Sequence, residues 1–170
     1  LSPSIENAAI GGSVSSFGSG DITVKDMTLN LTMPAGSTSS GIGSGSSVGE
    51  TAHHTVNVSG CEVIVKEESS GLDHYKGAWI GGKTVSAVNI PDNSVIRPYD
   101  NTTAMTDPVI TDGSTVNIKN SIIGTTEYSV KSPVYAETAL NISDSSITQQ
   151  IMTDLTSAQV KVAIGTTSGN

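Results

Sequence analysis

The sequence predicts an all-β chain wound as a short right-handed parallel β-helix of about five to six coils. Three observations predict it: a strand motif that recurs five times, a second apolar patch that keeps step with the motif, and a composition suited to sheet built in small pieces. Only 35% of residues are hydrophobic and 4% aromatic, so a core must come from short β-branched runs. At 14% charged, the chain lacks the charge density of a disordered tail. Its 170 residues suit one domain, expected over 1–170.

The motif reads apolar–Asn/Thr–apolar–x–Asn/Asp/Gly–x–x–apolar. Its copies run Ile22 to Leu29, Val56 to Val63, Val88 to Val95, Val116 to Ile123 and Leu140 to Ile147, with starts 34, 32, 28 and 24 residues apart. A sixth, degenerate copy is expected from Val160-Lys161-Val162. Within each copy, apolar–polar–apolar makes a short strand with one face inward. The Asn, Asp or Gly that follows (Asp26, Gly60, Asp92, Asn120, Asp144) tolerates left-handed backbone, so the chain can turn a corner. The closing apolar residue opens a second strand.

The other patch reads Ala9-Ile10-Gly11, Gly41-Ile42-Gly43, Trp79-Ile80-Gly81, Val109-Ile110 and, shifted, Val134-Tyr135. Three short faces per repeat describe one turn of a three-sided coil. A single turn cannot bury its own face, so coils must stack, and five make a column about 24 Å tall. Two inward rows follow: Ile22, Val56, Val88, Val116, Leu140 and Val24, Val58, Ile90, Ile118, Ile142. Thr23, Asn57, Asn89, Asn117 and Asn141 lie between them as an outward polar row. The alternative is an antiparallel β-sandwich, which also uses many short strands but not a motif recurring in phase.

The patches Ala9-Ile10-Gly11-Gly12, Gly41-Ile42-Gly43 and Trp79-Ile80-Gly81-Gly82, each paired with a downstream strand motif, resemble the repeat units of bacterial extracellular β-helix proteins. Those include pectate-lyase-like β-helices, surface adhesins and carbohydrate-binding repeat regions. The likeness spans residues 8 to 148. It implies the fold and an extracellular or cell-surface setting, and it transfers no catalytic residue.

Coils longer than 24 residues must carry their excess as loops, where function concentrates on rigid scaffolds. Two early insertions, Ser13 to Gly20 and Ser44 to Thr55, follow the apolar patch; two later ones, Glu67 to Lys76 and Arg97 to Asp107, follow the second strand. The later pair leaves one corner of adjacent coils and should lie side by side. It supplies the expected ligand-binding set: Asp73, His74, Tyr75, Arg97, Tyr99, Asp100 and Asn101. Tyrosine rings can cover apolar sugar faces while carboxylates, amides and Arg bond the hydroxyls. The only tryptophan, Trp79, joins the set: if Ile80 points inward with Ile10 and Ile42, alternation sends Trp79 outward. The same tyrosines would also serve simply to shield the corner.

The expected function is an extracellular binding or adhesion module within a larger protein, with a glycan or a cell-surface protein as partner. Alternatives are a polysaccharide-processing enzyme fragment and a purely structural spacer. No catalytic residue is expected, because Asp21, Asp26, Asp92 and Asp144 sit at turns, and only Asp73 with Asp100 offers a carboxylate pair across a groove. Nor is a cofactor or a metal: His53 and His54 are adjacent and diverge in extended chain, and no phosphate loop or EF-hand spacing occurs. The single cysteine, Cys61, lies between apolar strand positions and reads as a small buried hydrophobe. Asn30, Asn57, Asn101 and Asn141 begin glycosylation triplets, but in the outward row stacked amides are the simpler role for Asn57 and Asn141.

Net charge is −8, with eight scattered Lys and Arg, so nucleic acid is not an expected partner. No apolar run is long enough to predict membrane insertion. The N-terminus shows no basic segment followed by an apolar stretch, so any secretion signal is expected to lie outside this sequence. Residues 149–170 break the repeat. A helical turn is expected at Ile151 to Leu155 and a last strand at Val160 to Ile164, together capping the open end of the stack.

Overall fold

The computed structural model describes residues 1–4, 7–12, 21–45, 54–70, 73–74, 77–82, 85–100, 110–111, 115–130, 134–136, 138–148 and 164–166. Among them the chain is strand and turn, without a helix. Three strands make one circuit: β1 (Ile10–Gly11), β2 (Ile22–Lys25) and β3 (Thr28–Met33). The second has β4 (Ile42–Gly43), β5 (His54–Ser59) and β6 (Glu62–Glu67), followed by a hairpin of β7 (Ser69–Ser70) and β8 (Asp73–His74). Next come β9 (Ile80–Gly81), β10 (Val85–Ile90) and β11 (Val95–Pro98), then β12 (Ile110–Thr111), β13 (Thr115–Lys119) and β14 (Ile122–Ile123). The fifth circuit is β15 (Val134–Ala136), β16 (Ala139–Ser143) and β17 (Ser146–Ile147); β18 (Ile164–Thr166) opens a sixth.

The chain visits three sheets in a fixed cycle. The first sheet stacks β1-β4-β9-β12-β15-β18, the second β2-β5-β10-β13-β16 and the third β3-β6-β11-β14-β17. Every pairing in them is parallel, so the antiparallel sandwich does not occur; the hairpin β7–β8 is the antiparallel pair among the described residues. All three sheets contribute to one buried cluster. The inward rows read from the sequence hold: Val56, Val88 and Val116 are fully buried in register, as are Val58 and Ile90, with Ile118 beside them. Burying each such aliphatic side chain contributes about 1.5–3 kcal/mol before the entropy of ordering is subtracted.

The corner between the second and third sheets is made by left-handed residues, as the motif predicts at Asp26, Gly60, Asn120 and Asp144. The third copy departs by one residue. Its left-handed residue is Asn93 (φ 45°), not Asp92, and the inward residue is Ile96, paired with Val63 and Ile123, rather than Val95. Pro91 adds a residue to this corner, and the strand motif absorbs it without losing the ladder.

The outward row forms a chain of amides. The Asn89 side-chain N–H donates to Asn57 Oδ1 (2.9 Å), Asn117 to Asn89 (2.7 Å) and Asn141 to Asn117 (2.8 Å). Asn89 takes part in two of these bonds and Asn141 in one. We expect Asn89→Ala to cost about 1–2 kcal/mol and Asn141→Ala under about 1 kcal/mol, read as urea midpoints. Equal costs at the two positions would argue against the ladder as the source.

A second polar ladder, unforeseen, lines the same corner inside. Ser94 Oγ accepts from Cys61 N–H (3.3 Å), Ser121 Oγ from Ser94 N–H (3.3 Å) and Ser145 Oγ from Ser121 N–H (3.1 Å). Cys61 is buried, as expected, but at a position that serine holds in the next three circuits, and its thiol donates to Ser59 O (3.2 Å).

Among the described residues the first sheet continues to β18, while the last strands of the second and third are β16 and β17. The row that is buried at Ile118 is 36% exposed at Ile142. The expected sixth copy at Val160–Val162 and the turn at Ile151–Leu155 lie outside the described residues. Of the expected last strand only Ile164 is described, and the strand found there runs on to Thr166. It joins the first sheet in the Ile-Gly register, with Ile164 beside Val134.

Candidate functional site

The two later insertions do leave adjacent circuits at one corner, between the third and first sheets. Past β6, Glu68 N–H bonds to Met33 O (2.8 Å); past β11, Tyr99 N–H bonds to Val65 O (2.7 Å). Parallel pairing therefore carries both segments out of the third sheet from adjacent strands. Asp73 and His74 form β8, while Tyr75 and Asn101 lie outside the described residues.

Trp79 corrects the expectation. It is 1% exposed, beside an equally buried Ile80, and presents no face to a ligand. Alternation failed as a guide because Trp79 sits in the bend before β9, where strand geometry does not apply. Its indole Nε1–H donates to Glu67 Oε1 at 2.7 Å, and Glu67, expected in a loop, is the buried last residue of β6. A buried indole requires such an acceptor.

Arg97, Tyr99 and Asp100 remain on the surface of this corner. Arg97 lies on the outer face of β11, in register with Ile64 of β6 and, through it, Asn30 of β3. Its guanidinium Nε–H donates to Glu62 Oε1 (3.1 Å) and Nη2 lies 3.0 Å from the same oxygen. Nη1 donates to Pro98 O (3.3 Å). From the next circuit, Tyr128 brings its ring under the guanidinium, 4.7 Å from carbon to centroid. Stacked this way, a cation–π contact adds to the ion pair in holding Arg97 in one place. Tyr99, two residues on, is 57% exposed.

Tyr128 is positioned by a closed turn: Thr125 N–H donates to Tyr128 O (2.8 Å), and Tyr128 N–H donates to Thr125 Oγ1 (3.0 Å). Its phenol is held above the usual tyrosine range, first by the hydrogen bond and charge of Glu127, and Tyr99 adds to the same direction while Arg97 opposes it. The ring is therefore neutral at physiological pH.

The structure thus brings together Arg97 and Tyr99 from the sequence set and adds Glu62 and Tyr128, which sequence reasoning missed. The signal was present but faint. Tyr128 follows β14 as Tyr99 follows β11, yet its segment is too short to stand out as an insertion. Glu62 was counted as a spacer within the motif. Glu62 also lines a shallow depression that reaches the corner between the second and third sheets, with Asp26, Met27, Gly60, Asn93 and Val95. Among the described residues, no group of three or more His, Cys, Asp or Glu is placed to hold a metal ion, and no helix is long and apolar enough to cross a membrane. No protein family matches the chain, and neither does any curated protein or solved structure.

Proposed function

We propose that the chain is an extracellular binding or adhesion module, a right-handed parallel β-helix that presents a glycan site at the corner of Arg97, Tyr99 and Tyr128. The cyclic visiting order and in-register ladders support the winding, and parallel crossovers are right-handed in about 98% of cases. Ser/Thr/Asn-rich composition and the resemblance of the repeats support the extracellular setting, with a glycan or a cell-surface protein as partner.

The observation that carries the site is the exposed ring of Tyr99 beside an Arg97 fixed in place by Glu62 and Tyr128. A flat aromatic face covers the apolar side of a sugar ring, and pre-positioned donors bond its hydroxyls without first being ordered. The test is a glycan-array screen of the wild-type chain beside Tyr99→Ala. A specific signal that falls at least roughly tenfold in the variant is the expected result. A folded protein with no signal would favour a spacer or a protein-directed adhesin.

A further inference from the structure

The charges around Tyr99 narrow the class of sugar. Arg97 is not an open anion receptor: two of its nitrogens face Glu62 Oε1, a third bonds the Pro98 carbonyl, and Tyr128 lies under its plane. The Nε–Nη2 edge, one of the two on which a guanidinium grips a carboxylate or sulfate in parallel bonds, is already turned onto Glu62. Lys66 lies one residue past the Val65 that bonds Tyr99, and among the described residues it is the other cation at this corner. Against these two cations stand Glu62 and Glu68 of the second circuit, Asp100 beside Tyr99, and Glu127 beside Tyr128. Among the described residues the corner is net negative, as is the whole chain at −8. A uronate or sulfated sugar would meet repulsion and find the Nε–Nη2 edge of Arg97 already taken. A neutral sugar would find the exposed Tyr99 without that repulsion.

We propose, resting on the glycan reading above, that the Tyr99 surface takes an uncharged hexose chain, and that Glu62 withholds Arg97 from acidic sugars. Glu62 acts here as a positioning residue, through the guanidinium rather than through the ligand. Its side chain is 41% exposed, so Glu62→Gln should fold, and the buried Trp79 reports whether it has.

The experiment measures binding of the full chain, wild-type and E62Q, to two sets of probes. Mannohexaose, cellohexaose and galactohexaose are neutral; hexagalacturonate and a heparin-derived hexasaccharide are anionic. Wild-type protein should bind at least one neutral probe and neither anionic one. E62Q should gain anion affinity by roughly fivefold at low salt, and the gain should shrink as salt screens the freed charge. Wild-type binding confined to the anionic probes keeps the glycan site and overturns the neutral assignment. Unchanged anion binding in E62Q overturns the role given to Glu62. A folded protein that binds neither set removes the glycan reading, and this inference falls with it.

Discussion

Gly43→Ala is expected to destabilise the chain by about 3 kcal/mol or more, a large share of what a domain of this size has. Gly43 pairs with Gly11 on one side and Gly81 on the other, and its φ is +139°, a conformation side chains rarely adopt. A Cβ there would run into the carbonyl oxygen of Gly81, and backbone on both sides of a parallel ladder cannot step aside. Gly36→Ala is the control. Gly36 also has positive φ (+76°), but nothing lies within 4 Å of its Cβ position, so the cost should be only the backbone term of about 1 kcal/mol. Urea unfolding of both variants separates the two effects. Similar midpoints would mean that the close approach at Gly43 contributes nothing beyond its dihedral angle.

Trp79→Phe is expected to cost about 2–4 kcal/mol, and Glu67→Gln much less. The indole fills a site that is 1% exposed and supplies a hydrogen bond to a buried carboxylate oxygen. Phenylalanine removes that donor and leaves space behind, adding a desolvation cost to a cavity cost. Glutamine keeps an oxygen for the indole. Thermal or urea unfolding ranks the variants, and a Trp79→Phe protein as stable as wild type would sink the account. Since Trp79 is the only tryptophan, its emission should be blue-shifted in the native state and insensitive to saccharide bound at Tyr99. Quenching on titration would place the ligand at the interior indole instead.

The two ladders of the second sheet and the polar row between them were legible because strand alternation has a period of two and each copy repeats it in phase. The third copy shows the limit of that reading. The motif template aligned Val95 with Ile123, whereas the sheet aligns Ile96, because an added Pro91 changes the corner without changing the spacing of apolar letters enough to notice. The site was half legible. Arg97 and Tyr99 could be picked from a long insertion, but Glu62 and Tyr128 belong to the circuits before and after and are separated from Arg97 by some thirty residues each in sequence. Trp79 was misplaced because alternation was extended past the end of a strand two residues long.

By itself, the sequence determined the strand motif, the polar row and, in four of the five copies, the phase and the left-handed corner residue, since each depends on local dihedral preference and on which side of a strand a residue falls. Tertiary structure alone decided which residues meet between circuits: the serine ladder with Cys61, the burial of Glu67 against Trp79, and the clamp of Glu62 and Tyr128 on Arg97. The reason is geometric. Neighbours in a parallel stack lie one circuit apart, and circuits here vary in length, so no fixed sequence spacing marks a contact. It appears only once the strands have chosen their register.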